Sequence, residues 1–88
     1  MIDNIREHML ELEAVVWRHD DLPLQLKRKL CCAIDDIVSF VSNAILEACD
    51  HNITEEDLCS EYAKYSCFVD ERAKKLISEM VRIWREMR

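Results

Sequence analysis

The sequence contains no glycine and only one proline in 88 residues. Glycine adopts the left-handed conformations of helix ends and tight hairpins most easily, and proline interrupts helices most strongly. A chain that lacks glycine therefore favours long helices joined by a few polar turns. The same absence excludes glycine-rich loops that bind phosphates and the strained turns that carry nucleophilic serines.

Size and charge narrow the class of protein further. Half of the residues are hydrophobic and the formal net charge is -6, with an isoelectric point near 5.0. This length suits a single helical domain, residues 1–88, with one small core. An acidic chain is not expected to bind nucleic acid directly or to adhere to an anionic membrane surface.

The sequence also predicts a cellular location. It has no run of about 18 apolar residues, and its first residues lack the basic and apolar regions of a signal peptide. The five cysteines have no spacing typical of a disulfide framework. We therefore expect a cytoplasmic protein with reduced thiols. Of the adjacent Cys31 and Cys32, one should be buried and the other near the surface.

Hydrophobic periodicity predicts an all-α fold, a small bundle of about four helices at roughly 3–19, 22–50, 54–66 and 69–88. Apolar residues recur every three or four positions from Ile2 to Val16, which is typical of a helix packed along a narrow line. Pro23 marks the start of the second helix, with Asp20 or Asp21 as its N-cap.

The third and fourth helices are predicted from a cap and from a change in pattern. Thr54 is the expected N-cap of the third helix, whose apolar face includes Tyr65 and which should end near Ser66. The fourth carries one broad apolar face, which extends as far as Met87, and a charged face with weak ion pairs.

The predicted helix lengths suggest self-association. At 1.5 Å per residue the second helix would span roughly 40 Å, while the first and third would reach only roughly 25 and 18 Å. Apolar residues cover about half the circumference of the second helix, Phe40 among them. Part of that surface would stay exposed in a monomer, and such patches usually mark an interface. We therefore expect a homodimer that completes the bundle.

Large side chains at the edges of the apolar stripes are the best candidates for binding a protein partner. Aromatic and arginine side chains contribute most to protein interfaces. The predicted contact residues are Leu10, Trp17, Trp84 and Arg85. The function these features favour is that of a non-enzymatic interaction module, a small regulator or inhibitor that occupies the surface of a partner protein. No cofactor is expected.

Three alternatives follow from other residue groups. A basic set could hold a small anion or a nucleotide: Lys27, Arg28, Lys29, Lys75 and Arg82. The acidic surface could instead mimic nucleic acid, as a phage- or virus-encoded inhibitor would. Four residues of the types that zinc prefers could form a stabilising metal site, although their spacing fits no familiar zinc motif: Cys49, His51, Cys59 and Cys67.

Overall fold

The protein is an antiparallel arrangement of three α-helices. The computed structural model describes residues 2–88, with side chains from residue 4 onward, and the helices are α1 (Ile2–Trp17), α2 (Leu24–Ala48) and α3 (Glu55–Met87). The described chain is a rod of 49 × 19 × 19 Å, with no strand in residues 2–88. The all-α prediction is confirmed. None of the three helices is long and apolar enough to cross a membrane.

The two helices predicted at 54–66 and 69–88 are one continuous helix of 33 residues. Its N-cap is the predicted one, because the backbone N–H of Asp57 donates to Thr54 Oγ1 at 3.2 Å. The expected break near Ser66 is wrong. The Ser66 hydroxyl donates to the Ala63 carbonyl at 2.9 Å within the helix, and no proline or glycine follows to interrupt the backbone. Serine in a helix weakens it only slightly.

The turn between α1 and α2 differs from its prediction in one respect. Pro23 marks the start of α2 as predicted, but it occupies the N-cap position itself, and no side chain caps the helix. Asp20 and Asp21 were expected to do so. Asp21 is instead engaged by the C-terminal end of α3, and Leu22 beside it is buried in the core.

The turn between α2 and α3 contains no glycine, and two other residues adopt the left-handed conformation there. Asp50 has φ 53° and His51 has φ 59°. The His51 N–H donates to the Leu46 carbonyl at 2.7 Å and the Asp50 N–H to the Glu47 carbonyl at 3.1 Å. This is the hydrogen-bond pattern of a Schellman motif, with aspartate where glycine is usual.

The core lies where the three helices meet. Its fully buried large residues come one from each helix: Val16, Ile34 and Val69. The narrow apolar line predicted on α1 is confirmed from residue 4 onward, since Leu12 and Val16 are buried. The core is entirely apolar among the described residues, so burial of hydrocarbon is its main stabilising term.

Candidate interaction surface

The α2–α3 pair carries α1 on one side and no helix on the other within residues 2–88. Asp70 of α3 bonds to His8 of α1. Arg72 follows two residues later, about 200° further round the helix axis, and so lies on the side away from α1. We call this uncovered side the open face. Its residues line three concave sites that follow one another along α3: Leu24, Leu26, Ile37, Phe40, Ala44, Tyr65, Phe68, Arg72, Lys75, Leu76, Glu79, Ile83 and Met87.

The two ends of the open face are apolar and exposed. A groove of about 610 Å³ lies at one end between Leu24, Leu26, Ile83 and Met87. A second groove, of about 340 Å³, lies at the other end and is formed by aromatic side chains and the small residues of α2. Phe40 is 73% exposed and Met87 75%. Several large apolar side chains on one face are unusual for a monomer in water.

The middle of the open face is charged on α3 and apolar on α2. A shallow site of about 300 Å³ there is lined by Ile37, Arg72, Lys75, Leu76 and Glu79. The Arg72 guanidinium carbon lies 5.8 Å from the centroid of the Phe68 ring, a cation–π contact that directs it along the face. The open face therefore combines apolar ends with a centre that carries both signs of charge.

The sequence places part of this surface on the apolar faces of the predicted third and fourth helices. Tyr65, Ile83 and Met87 belong to those faces, and all three are exposed. The signal that could have separated them is their position at the flank of the apolar stripe, beside charged residues such as Arg72 and Glu79. The prediction that part of the second helix stays exposed is confirmed by Phe40.

Two of the four predicted contact residues bond to the turn between α1 and α2. The Trp84 indole Nε1 donates to the Asp21 carbonyl at 3.0 Å, and Arg85 Nε donates to Asp21 Oδ2 at 3.1 Å. The Arg85 hydrogen bond is the main cause that lowers the pKa of Asp21. These side chains hold the α1–α2 turn against the end of α3. Trp84 also lines the groove between Leu24 and Met87, and the Arg85 side chain remains 59% exposed.

Leu10 and Trp17, the other two, are exposed on α1. Leu10 is 53% exposed and Trp17 45%. The Lys27 ammonium lies 5.4 Å from the centroid of the Trp17 ring, so α1 and α2 share a cation–π contact there. The structure therefore does not bring the four predicted contact residues together in one patch.

The basic residues proposed to hold an anion are also dispersed. Lys27 lies over Trp17, Lys29 borders the groove at the start of α2 and Lys75 lies in the middle of the open face. Arg82 forms an ion pair with Glu86 at 3.2 Å. Arg28 is exposed. No single site collects these charges among the described residues.

The cysteine and histidine set gains no support as a metal site. Cys49 and Cys59 are half-buried, whereas His51 and Cys67 are exposed. In the side chains described from residue 4 onward, no three His, Cys, Asp or Glu residues are placed to hold a metal ion. Cys31 is buried and Cys32 exposed, which confirms the prediction for that pair.

A polar cluster joins α1 to α3. His8 Nε2 lies 2.5 Å from Asp70 Oδ1, and its Nδ1 lies 2.8 Å from the Tyr62 hydroxyl. A carboxylate only accepts, so Nε2 donates to Asp70 and a neutral ring accepts the Tyr62 proton at Nδ1. Burial, and then the charge of Asp70, raise the pKa of Tyr62 to about 12. The cluster fixes the position of α1 on the side opposite the open face.

A second polar cluster lies between α1 and α2. Burial raises the pKa of Glu13, and the neighbouring carboxyl group of Asp35 raises it further. Burial also raises the pKa of the nearby Cys31 thiol, with the two acids adding to the effect. That thiol stays protonated and unreactive near neutral pH.

Comparison with known proteins identifies no relative whose function could guide the interpretation of this surface. The chain matches no protein-family model, no curated protein and no solved structure. Any function must therefore be argued from the surface itself.

Proposed function

We propose that this protein is a non-enzymatic helical interaction module, a small regulator that acts by occupying the surface of a partner protein. The observation that carries the proposal is the open face, where Phe40, Tyr65 and Phe68 at one end and Ile83 and Met87 at the other are exposed. Clustered aromatic and aliphatic side chains on a rigid surface are the usual anchors of a protein interface.

The construction of the α2–α3 pair suits this role. Both helices are rigid and long, 25 and 33 residues, so the exposed side chains keep fixed relative positions. The anchors therefore lose little freedom on binding. The polar cluster around His8 is accounted for by the attachment of α1 and needs no catalytic role.

Capture by the tagged full-length chain tests the proposal. The wild-type chain should retain a polypeptide in stoichiometric amount, whether an untagged copy or another protein. Phe68→Glu and Ile83→Glu, at the two ends of the open face, should each abolish retention, because a carboxylate in a desolvated contact is strongly unfavourable.

Lys74→Glu is the matched control. Lys74 is exposed and lies on the side of α3 away from the open face, about 200° from Arg72. Circular dichroism should show that all variants keep the helix content of the wild-type chain. Capture of nothing by the wild-type chain, or equal capture by all variants, would contradict the proposal.

A further inference from the structure

We infer that the open face binds a second copy of the same chain, in an antiparallel pairing in which α3 lies against α3 and α2 against α2. This inference rests on the proposed function, since it names the occupant of that surface. The two-fold axis would lie in the interface, perpendicular to the helices, at the level of Ile37 and Leu76. Each of the two helix stripes is complementary to its own copy when it is turned about that level.

On α3, opposite charges flank Leu76 closely, and apolar side chains lie further out on both sides. Counting from Leu76, Arg72 lies four residues before and Glu79 three after, while Tyr65 and Met87 lie eleven residues before and after. An antiparallel two-fold pairing brings together residues whose distances from the axis are equal or differ by one residue. Arg72 then faces the partner's Glu79, Phe68 faces the partner's Ile83 and Tyr65 faces the partner's Met87.

Charge complementarity is what selects the second copy as the occupant. Each Arg72 meets the partner's Glu79, and the two-fold axis repeats the pair, so the centre of the interface carries two ion pairs, with the Lys75 of each copy beside the axis. The apolar ends meet apolar ends. A parallel pairing would place Arg72 against the partner's Arg72 and Glu79 against the partner's Glu79, which is unfavourable.

The stripe on α2 repeats the same spacing about Ile37. Ala33 lies four residues before and Phe40 three after, while Leu26 and Ala48 lie eleven residues before and after. The large Phe40 would face the partner's Ala33, and Leu26 the partner's Ala48. A large residue opposite a small one is the arrangement that fills space between packed helices.

The centres of the two stripes lie at the same height along the molecule, which a single two-fold axis requires. Ile37 and Leu76, the centres of the α2 and α3 stripes, line the same site in the middle of the open face. The antiparallel contact would extend from Tyr65 to Met87, 23 residues of α3 that span roughly 33 Å. The α1 helices would remain on the outer sides of a six-helix dimer.

Charge exchange on the full chain tests the register. Light scattering after size exclusion should give wild-type protein twice the 10.5 kDa mass of one chain. Arg72→Glu and Glu79→Arg should each weaken the dimer by at least about tenfold, because each creates two like-charge contacts. The double variant R72E/E79R should restore it, whereas Lys74→Glu, outside the face, should leave the mass unchanged.

A cysteine on the axis gives an independent readout. Leu76→Cys should form a disulfide with the partner's residue at the same position under mild oxidation, because residues on a two-fold axis meet their own copies. The wild-type chain with its five cysteines and Lys74→Cys are the controls, and neither should give the same cross-link.

Two outcomes would overturn the inference. A wild-type chain that stays monomeric at about 100 μM, or a dimer that the double variant does not restore, excludes this pairing. If the monomer still captures another protein through Phe68 and Ile83, the second copy is excluded while the proposed function stands. If neither a copy nor another protein binds, both are wrong.

Discussion

Single side chains of this protein mostly attach α1 to the rest of the molecule. His8 reaches Tyr62 and Asp70 of α3, and Trp84 reaches the turn that follows α1 through the Asp21 carbonyl. These polar contacts fix one arrangement of the helices, which apolar packing alone specifies less well. The consequence is that α1 is held to one side and the open face remains uncovered.

The Glu13 and Asp35 pair gives stability a pH dependence of predictable sign. The pKa of Glu13 is raised above its usual value of 4.5 in the folded state, first by burial and then by Asp35. A folded state that binds more protons than the unfolded state loses stability as pH rises through the window above 4.5. Glu13→Gln should therefore raise Tm at pH 7, and the gain should shrink towards pH 4.

Thermal unfolding between pH 4 and 8 measures this effect. Glu11→Gln, an exposed position on the same helix, is the control and should show little difference from wild type. A Glu13→Gln variant that is less stable than wild type at pH 7 would show that the pair is favourable when ionised.

At this scale the sequence did not predict which side chains bond within the molecule. Trp84 and Arg85 were selected as interface residues by type, but their partner Asp21 lies 63 and 64 positions away in the chain. No local pattern contains such a contact. Thr54 was predicted correctly because a cap depends only on residues within one turn.

Helix α3 determines the length of the molecule. Its 33 residues continue through Ser66, Cys67 and Phe68, where the sequence suggested a break. The apolar stripe changes flank there: Tyr62 and Val69 are buried, while Tyr65 and Phe68 are exposed. That change resembles a helix end in sequence, but it marks the open face instead.

Proline at position 67 tests this continuity. Cys67 is exposed, so Cys67→Pro disturbs the backbone with little change in packing. An interior proline costs about 3 kcal/mol or more, and we expect a large loss of stability in denaturant unfolding. Glu55→Pro, at the first position of α3, should cost much less. Equal stability of the two variants would indicate a break near residue 67.

The sequence predicts which residues form the apolar stripes of α2 and α3, but not which helix covers each flank of a stripe. Leu26, Ile37 and Phe40 were recognised as part of a stripe too wide for one neighbour, which is correct. Which flank α1 covers depends on contacts between helices far apart in the sequence. Only the position of α1 shows that the other flank is left open.

The whole molecule is a rod that presents one long face. The proposed dimer would use that face and leave the outer surface of α1, with Leu10 and Trp17, exposed. We therefore expect Leu10→Ala and Trp17→Ala to keep the oligomeric mass of the wild-type chain in light scattering. A shift of either variant to the monomer would place α1 in the dimer interface.

The fold class followed from composition because a chain without glycine has few alternatives to helix. The number of helices did not, because no local signal shows that α3 continues through Ser66. The sidedness of the molecule did not either, because it depends on how α1 packs. The proposed regulator function has the same limit, because the open face exists only once three helices are assembled.

The turn at Asp50 shows that the absence of glycine is not a requirement of the fold. Asp50 lies in the left-handed region with φ 53°, where glycine avoids the steric cost of a side chain. Asp50→Gly should therefore raise the free energy of unfolding by about 0.5–1 kcal/mol. Asp36→Gly, in the interior of α2, should instead lower it, by about 0.3 kcal/mol. Protein engineers would find the simplest gain in robustness in the one residue type that this sequence never uses.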